Sequence, residues 1–501
     1  MITVTETQPL PLKLATSNGK KVDQLRRIPS LDISSTPPLF DESQIKQEIT
    51  IPEDDGISYA GAVSRKKLEW HRKRAREQEG TGQDYAIIAS DSVILVNDGE
   101  NDRPVNRDGI SDEEKQRILD TINRQREVTF VGAVSFGRKN GKSAFTVSTF
   151  MTLPLGEPIS SFPLIVDELP DKKDPGRQIK YGYIKYGVAK DGGLVHRKKP
   201  LEATDSFAQA RPFISGLTED VIRFANDTAQ FDRLTAPVAE DLVSRLSFNT
   251  VAFYSLAKQM GVEGDGLASF YREISQSYDS FFETQGGGNC ALFSLELAKK
   301  LREMGMDPRI ASYASLNFGE SGAVEDGHSG IVVDYNQRQY LFDPGLSITF
   351  PIPIGEIPIS PFFAGGNKSF VVGLNDNNPV PQLFVLKKDA RYQKIAGSKI
   401  FTVEQFQDRL GKVLTSLHDE RTRMKIDFHN SSGRKTIGFL VDRNTLQLSI
   451  KLDGSDDPFE VNLRDLFSGS SQQILNNITG LCSYYGIDAH LLMEQLKGLI
   501  N

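Results

Sequence analysis

The chain has 501 residues, 38% hydrophobic and 25% charged, with a net charge of −7; that length corresponds to roughly three domains of ordinary size. No apolar run approaches the roughly 20 residues needed to cross a bilayer, the polar N-terminus lacks the apolar core of a secretory signal, and the acidic balance excludes a nucleic-acid surface spread over the whole chain. Two cysteines, Cys290 and Cys482, cannot build a disulfide framework, so the expectation is a cytoplasmic protein with free thiols.

Residues 1–82 are dominated by Pro, Ser, Thr, Asp and Glu and read as an unfolded tail, with few apolar groups to offset the entropy of ordering. Within it, the basic run at 65–76 holds the only Trp and predicts a short, solvated, charged helix. From 83 to 202 the pattern is β-rich: compact apolar runs at 85–89 and 93–96, a helix from an N-cap at Ser111 to about Arg126, then two strands flanking Asn140-Gly141, a hairpin signal. Gly137-Arg138-Lys139-Asn140-Gly141-Lys142-Ser143 looks like a phosphate loop. It has three residues between the glycines where that motif needs four, and a strand follows instead of a helix, so no nucleotide site is read there.

From 203 to 300 helical spacing predicts helices over 220–231, 237–260 and 266–282. Next, Gln285-Gly286-Gly287-Gly288-Asn289-Cys290 runs into Ala291-Leu292-Phe293-Ser294-Leu295, a flexible bend followed by a helix apolar on nearly every side and therefore buried. Cys290 falls at the helix start, where unpaired N–H groups and the positive end of the dipole stabilise a thiolate. Strands follow at 309–316 and 329–335, a turn at 336–338, and a strand at 339–342. His328 opens one strand of this hairpin and Asp343 closes the other, so folding brings them together. A Cys at a helix start, a His and an Asp in this order fit a nucleophile, a base and a group that orients the base. The Cys290 N–H, with Gln285 or Asn289 as second donor, is the candidate oxyanion site. His196, His418, His429, His490 and Cys482 show no metal-ligand spacing. After a proline-rich stretch, the chain reads as strand, helix (402–417), strands at 424–428, 436–441, 445–452 and 459–463, and helices at 472–485 and 488–500.

Gly287-Gly288-Asn289-Cys290, His328 in a strand and Tyr340-Leu341-Phe342-Asp343-Pro344-Gly345-Leu346 resemble arylamine N-acetyltransferases, over roughly residues 220–501. The resemblance implies an α+β, papain-like core with a helical bundle (203–300) carrying Cys290, a β-barrel-type subdomain (301–400) with His328 and Asp343, and an α/β lid (401–501), preceded by the tail and the β-rich region. It also implies acyl transfer through an acyl-cysteine, with no bound cofactor: a small-molecule donor, usually acetyl-coenzyme A, is the co-substrate and an amine the acceptor. Phe342-Asp343-Pro344 looks somewhat more like transglutaminase-like proteins, which act on carboxamides, than like the acetyltransferases. Gly286 stands where the acetyltransferases usually carry an Arg. A catalytically silent scaffold, recruiting a protein partner through the N-terminal region, stays open beside these readings.

Overall fold

The computed structural model of the chain describes residues 10–16, 25, 26, 28, 31–36, 38, 39, 45, 56–97, 102–104, 111–154, 167–170, 178–181, 186–188, 194–196, 216–245, 247–259, 287–315, 324–346, 348–354, 359, 360, 362–364, 368–375, 378–386, 392–407, 421–430, 433–442, 445, 447–452, 459–468, 476, 478–480 and 488–498. They fall into two compact units, one of residues 9–230 with 357–362, the other of 1–8, 231–356 and 363–501. As expected, helices and mostly antiparallel sheets are both present.

The first unit is a mixed sheet. Its strands are β1 (Leu12–Ala15), β2 (Ile33–Thr36), β3 (Ala86–Asn97), β4 (Asp102–Pro104), β5 (Glu127–Arg138) and β6 (Phe145–Pro154). They run in the order β6, β5, β3, β1, β2, with β4 on β3 and an edge strand, Ile359–Ser360, against β6. Helix α1 (Gly56–Glu79) packs on β3 and β5 through Ala60, Val63, Leu68 and Ala75, and α2 (Asp112–Gln125) follows the predicted cap.

The reading of 1–82 as an unfolded tail is corrected for its described residues: β1 and one face of α1 are buried in this unit's core, and β2 forms an edge of its sheet. Each strand is four residues long, and β1 is stabilised by parallel pairing with residues far along the chain, Leu12 beside Ile33 and beside Ala86. Local composition carries no trace of such partners. Nor is the basic run wholly solvated. Lys67 and Arg72 are buried, Lys67 lying 2.8 Å from Asp91 and Arg72 donating to the Ser143 carbonyl at 2.9 Å. The phosphate-like loop is held by its carbonyls, since Arg76 donates to Lys139 O and Gly141 O. Its N–H groups at 139, 140 and 141 are taken by Tyr85 O, Asp84 and Arg138 O. A phosphate cradle needs those donors free.

Helix α3 (Glu219–Arg245) continues through Pro237, where the sequence predicts a break. A proline costs a hydrogen bond and crowds the preceding turn; here the buried face of Phe231, Ala236, Ala239 and Leu242 outweighs it. The helix predicted over 237–260 is therefore three pieces: the end of α3, strand β7 (Ser247–Asn249) and α4 (Thr250–Gln259). The helix predicted over 266–282 lies outside the described residues.

Strand β8 (Gly287–Gly288) leads into α5 (Cys290–Glu303) and then β9 (Arg309–Ser315), β10 (Val324–Tyr335), β11 (Arg338–Asp343) and β12 (Ile348–Ile354). These four make one half of an eight-stranded sheet ordered β12, β11, β10, β9, Tyr392–Phe401, Asn378–Leu386, Lys368–Asn375, Phe362–Ala364. The path is open at both ends, so the barrel expected over 301–400 is not formed among the described residues. Its first strand carries Pro351 and Pro353, which lack the N–H that a further neighbour would need. A second, six-stranded sheet runs β8, β7, Arg421–Asn430, Gly433–Asp442, Gln447–Leu452, Phe459–Asn462. Its core is closed by short helices through Leu463, Leu466, Leu492 and Leu496.

Candidate active site

Cys290 is placed by both of its neighbours in sequence. Before it, β8 pairs in parallel with β7, Gly287 beside Ser247 and Gly288 beside Phe248, which fixes the incoming backbone. Asn289 then takes an extended conformation and its Oδ1 accepts the Leu292 N–H at 3.1 Å, an N-cap that starts the helix at the cysteine. Nine residues of α5 are buried, among them Leu292, Phe293, Leu295, Leu297 and Leu301. At about 1.5–3 kcal/mol for each large apolar side chain, this anchors the helix firmly against β10 and β11. At the far end Gly305, with φ +83°, closes the helix as the N–H of Met306 returns to Leu301 O at 3.1 Å.

The partners come from the β10–β11 hairpin. Its two-residue turn, Asn336 and Gln337, is left-handed at both positions (φ 47° and 63°), the geometry that matches strand twist in a tight hairpin. It sets the register Tyr335 opposite Arg338 through Ile331 opposite Phe342. Two details differ from the sequence reading. β10 begins at Val324, so His328 lies inside the strand, and extending the register sets His328 level with Gly345 instead of Asp343. The two side chains meet diagonally, His328 Nε2 lying 2.7 Å from Asp343 Oδ2. The other carboxylate oxygen accepts the Leu346 N–H at 3.0 Å across a single 3-10 turn, Pro344–Leu346. Asp343 is fully buried and held at both oxygens.

Cys290 and His328 are hydrogen-bonded to each other. With Nε2 on Asp343, Nδ1 is the ring nitrogen left for the sulfur. Burial pushes the Cys290 thiol up, but the hydrogen bond and charge of His328, helped by the Ser329 N–H, outweigh it and bring the thiol below its ordinary value. Burial likewise works against a charged imidazole. The carboxylate and hydrogen bond of Asp343, with the sulfur's contribution, overcome it and raise His328 to about 10. The thiol is lowered and the imidazole raised, the two directions that an ion pair between them requires, and Cys290 as a residue is half-buried.

The structure thus joins Cys290, His328 and Asp343. Gln285 lies outside the described residues, and the Asn289 amide oxygen accepts the Leu292 N–H of the cap. Three participants went unread. Ser329 gives its N–H to the sulfur; Ser294 reaches Ser329; and Gly345 passes so close that a Cβ there would stand 2.8 Å from Cys290 Cβ and 3.1 Å from His328 Cε1. The glycine two residues after Asp343 was a visible signal, the serines were not. A cavity of about 390 Å³ lies along the later turns of α5, lined by Leu295, Lys299, Arg302, Glu303, Val403 and Gln407; none of the trio borders it.

No protein-family model matches the chain, and no curated protein matches it. Solved structures that it resembles include arylamine N-acetyltransferases. The enzyme of Bacillus cereus, described as having a Cys-His-Glu catalytic triad, is 15% identical, with 52% of this chain and 93% of that one covered and a TM-score of 0.35. For the Mycobacterium abscessus enzyme the figures are 15%, 53%, 88% and 0.37. For the Mycobacterium marinum enzyme in complex with CoA they are 14%, 54%, 94% and 0.35. What the site of this chain can do follows from its own geometry. Among the described residues no group of His, Cys, Asp and Glu is placed to hold a metal ion, and no helix is long and apolar enough to cross a membrane.

Proposed function

We propose that the protein is a cysteine-dependent acyltransferase, moving an acyl group from a thioester to an amine through an acyl-Cys290 intermediate. The observation that carries this is the connected line from the sulfur through the His328 ring to the buried Asp343 carboxylate, 2.7 Å from Nε2, at the mouth of a capped helix. Imidazole removes the thiol proton and Asp343 keeps the ring in the tautomer and orientation that receive it. The thiolate attacks the acyl carbonyl carbon. The negative oxygen of the tetrahedral adduct is met by the Cys290 N–H in the first turn of α5, with the Asn289 or Gln285 side chain as second donor. Collapse breaks the bond to the donor's sulfur, which leaves with the proton held on His328. An amine then attacks the acyl-cysteine, loses its proton to His328, and displaces the thiolate. Acyl-coenzyme A is the donor that the sequence resemblance implies, as a co-substrate and not a resident cofactor.

Incubation with a panel of acyl-coenzyme A donors, followed by mass spectrometry of the Cys290 peptide, tests the proposal. An acyl adduct that an aromatic or aliphatic amine discharges is expected, and none in Cys290→Ala. Turnover persisting in that variant removes Cys290 from the chemistry. An adduct formed from glutaminyl peptides and not from thioesters moves the reading to carboxamide donors. Absence of any adduct, with Cys290 no faster than free cysteine toward iodoacetamide, leaves a scaffold.

A further inference from the structure

Ser294 and Ser329 are 0% and 1% exposed, among buried apolar residues that include Leu292, Leu295 and Leu301 on α5 and Ile331 and Val333 on β10, with buried Ser312 opposite Ser329 on β9. Ser294 Oγ lies 3.1 Å from Ser329 Oγ and 3.3 Å from the Ser329 carbonyl. Hydroxyls placed so deep are unfavourable unless each finds a partner, and here each finds the other. Position matters more than the pairing. Ser294 follows Cys290 by one helical turn, on the same side of a rigid helix. Ser329 adjoins His328 in the strand, and its own N–H is directed at the Cys290 sulfur. The bond therefore ties together the two elements that carry sulfur and imidazole, one turn from the point where those groups meet. Apolar packing is non-directional and tolerates a slide along its length; a hydroxyl pair does not.

We propose that the Ser294–Ser329 pair is a positioning clasp, which fixes the α5 helix in register with the β10 strand and so holds the Cys290 sulfur in contact with the His328 ring and the Ser329 N–H. The inference rests on the proposed role of Cys290 as nucleophile. Neither serine touches substrate; both act through the sulfur.

The test is a double-mutant cycle of Ser294→Ala and Ser329→Ala, read by the pH profile of Cys290 alkylation and by thermal unfolding. Each single variant is expected to move the alkylation midpoint upward by about one pH unit, hence roughly tenfold slower reaction at pH values below the midpoint. The double variant is expected to lose no more than Ser294→Ala alone, since that change already removes both bonds between the two serines. Melting temperatures that fall while the alkylation profile stays at that of wild type would make the pair a packing feature and overturn the clasp. Additive losses in the double variant would overturn it also, by showing two independent effects. Wild-type Cys290 reacting no faster than the thiols of the urea-unfolded chain is a different outcome, and refutes the nucleophile itself.

Discussion

Gly345→Ala isolates the geometry of the site in one methyl group. The new Cβ would stand 2.8 Å from Cys290 Cβ, 3.2 Å from Cys290 Cα and 3.1 Å from His328 Cε1. Carbon atoms settle at about 3.5–4.0 Å, so the backbone at 345 and the cysteine must part by roughly 0.7 Å or more. The methyl enters between the sulfur-bearing carbon and the imidazole, so the parting lengthens the contact on which the ion pair depends. Gly345 is not in the left-handed region, and the substitution therefore acts by bulk and not by backbone strain. Overpacking of this size costs on the order of 1–3 kcal/mol in stability. A misplacement near 1 Å in a reacting pair costs on the order of 100-fold in rate. The assay is the second-order rate of iodoacetamide with Cys290 at pH 7, followed by peptide mass spectrometry, beside a thermal melt. A folded variant with the rate and pH profile of wild type would refute the claim that this turn sets the sulfur–imidazole distance.

Asp343→Asn keeps an acceptor for the Leu346 N–H but removes the charge that holds the His328 proton. His328 is expected to fall from about 10 toward its ordinary 6.5 and the thiol to rise, with acyl transfer slowed on the order of 100-fold or more. A variant as fast as wild type counts against the orienting role of Asp343. The same shift predicts how stability follows pH. Because the folded-state value of His328 lies above its ordinary one, the imidazole proton stabilises the fold fully below pH 6.5, and that contribution fades as pH rises through about 10. In a Cys290→Ser background, which removes the titrating thiol, urea midpoints should drop between pH 6.5 and 10, and the further change His328→Gln should flatten the slope. Equal slopes in the two proteins would contradict the assignment.

Most of the trio was legible because it depends on short-range pattern. A glycine bend before an apolar helix, a strand opened by His and a strand closed by Asp are each visible within ten residues, and the hairpin turn at 336–337 joins the last two. The strands after 421 were legible for the same reason, as alternating runs with tight turns. What escaped was long-range or paid for by tertiary contact. β1 pairs across more than seventy residues with β3, so its four residues look like tail. Lys67 and Arg72 read as solvent-facing because a sequence does not show the Asp91 carboxylate and the Ser143 carbonyl that receive them. Pro237 signals a helix break by local rule and is overruled by the buried face around it. The diagonal offset between His328 and Asp343 goes with a β10 strand that starts at Val324, five residues before the strand predicted from 329.

Cys290 hangs from the six-stranded sheet, since the strand that delivers it, Gly287–Gly288, is hydrogen-bonded to Ser247–Phe248 there. His328 and Asp343 belong to the eight-stranded one. Neither layer by itself holds a nucleophile: a thiol on one and a base on the other stay ordinary until the layers dock. On the proposed role of Cys290, the lowering of its thiol comes late in folding, and thiolate absorbance followed during refolding is expected to time the docking of the two sheets.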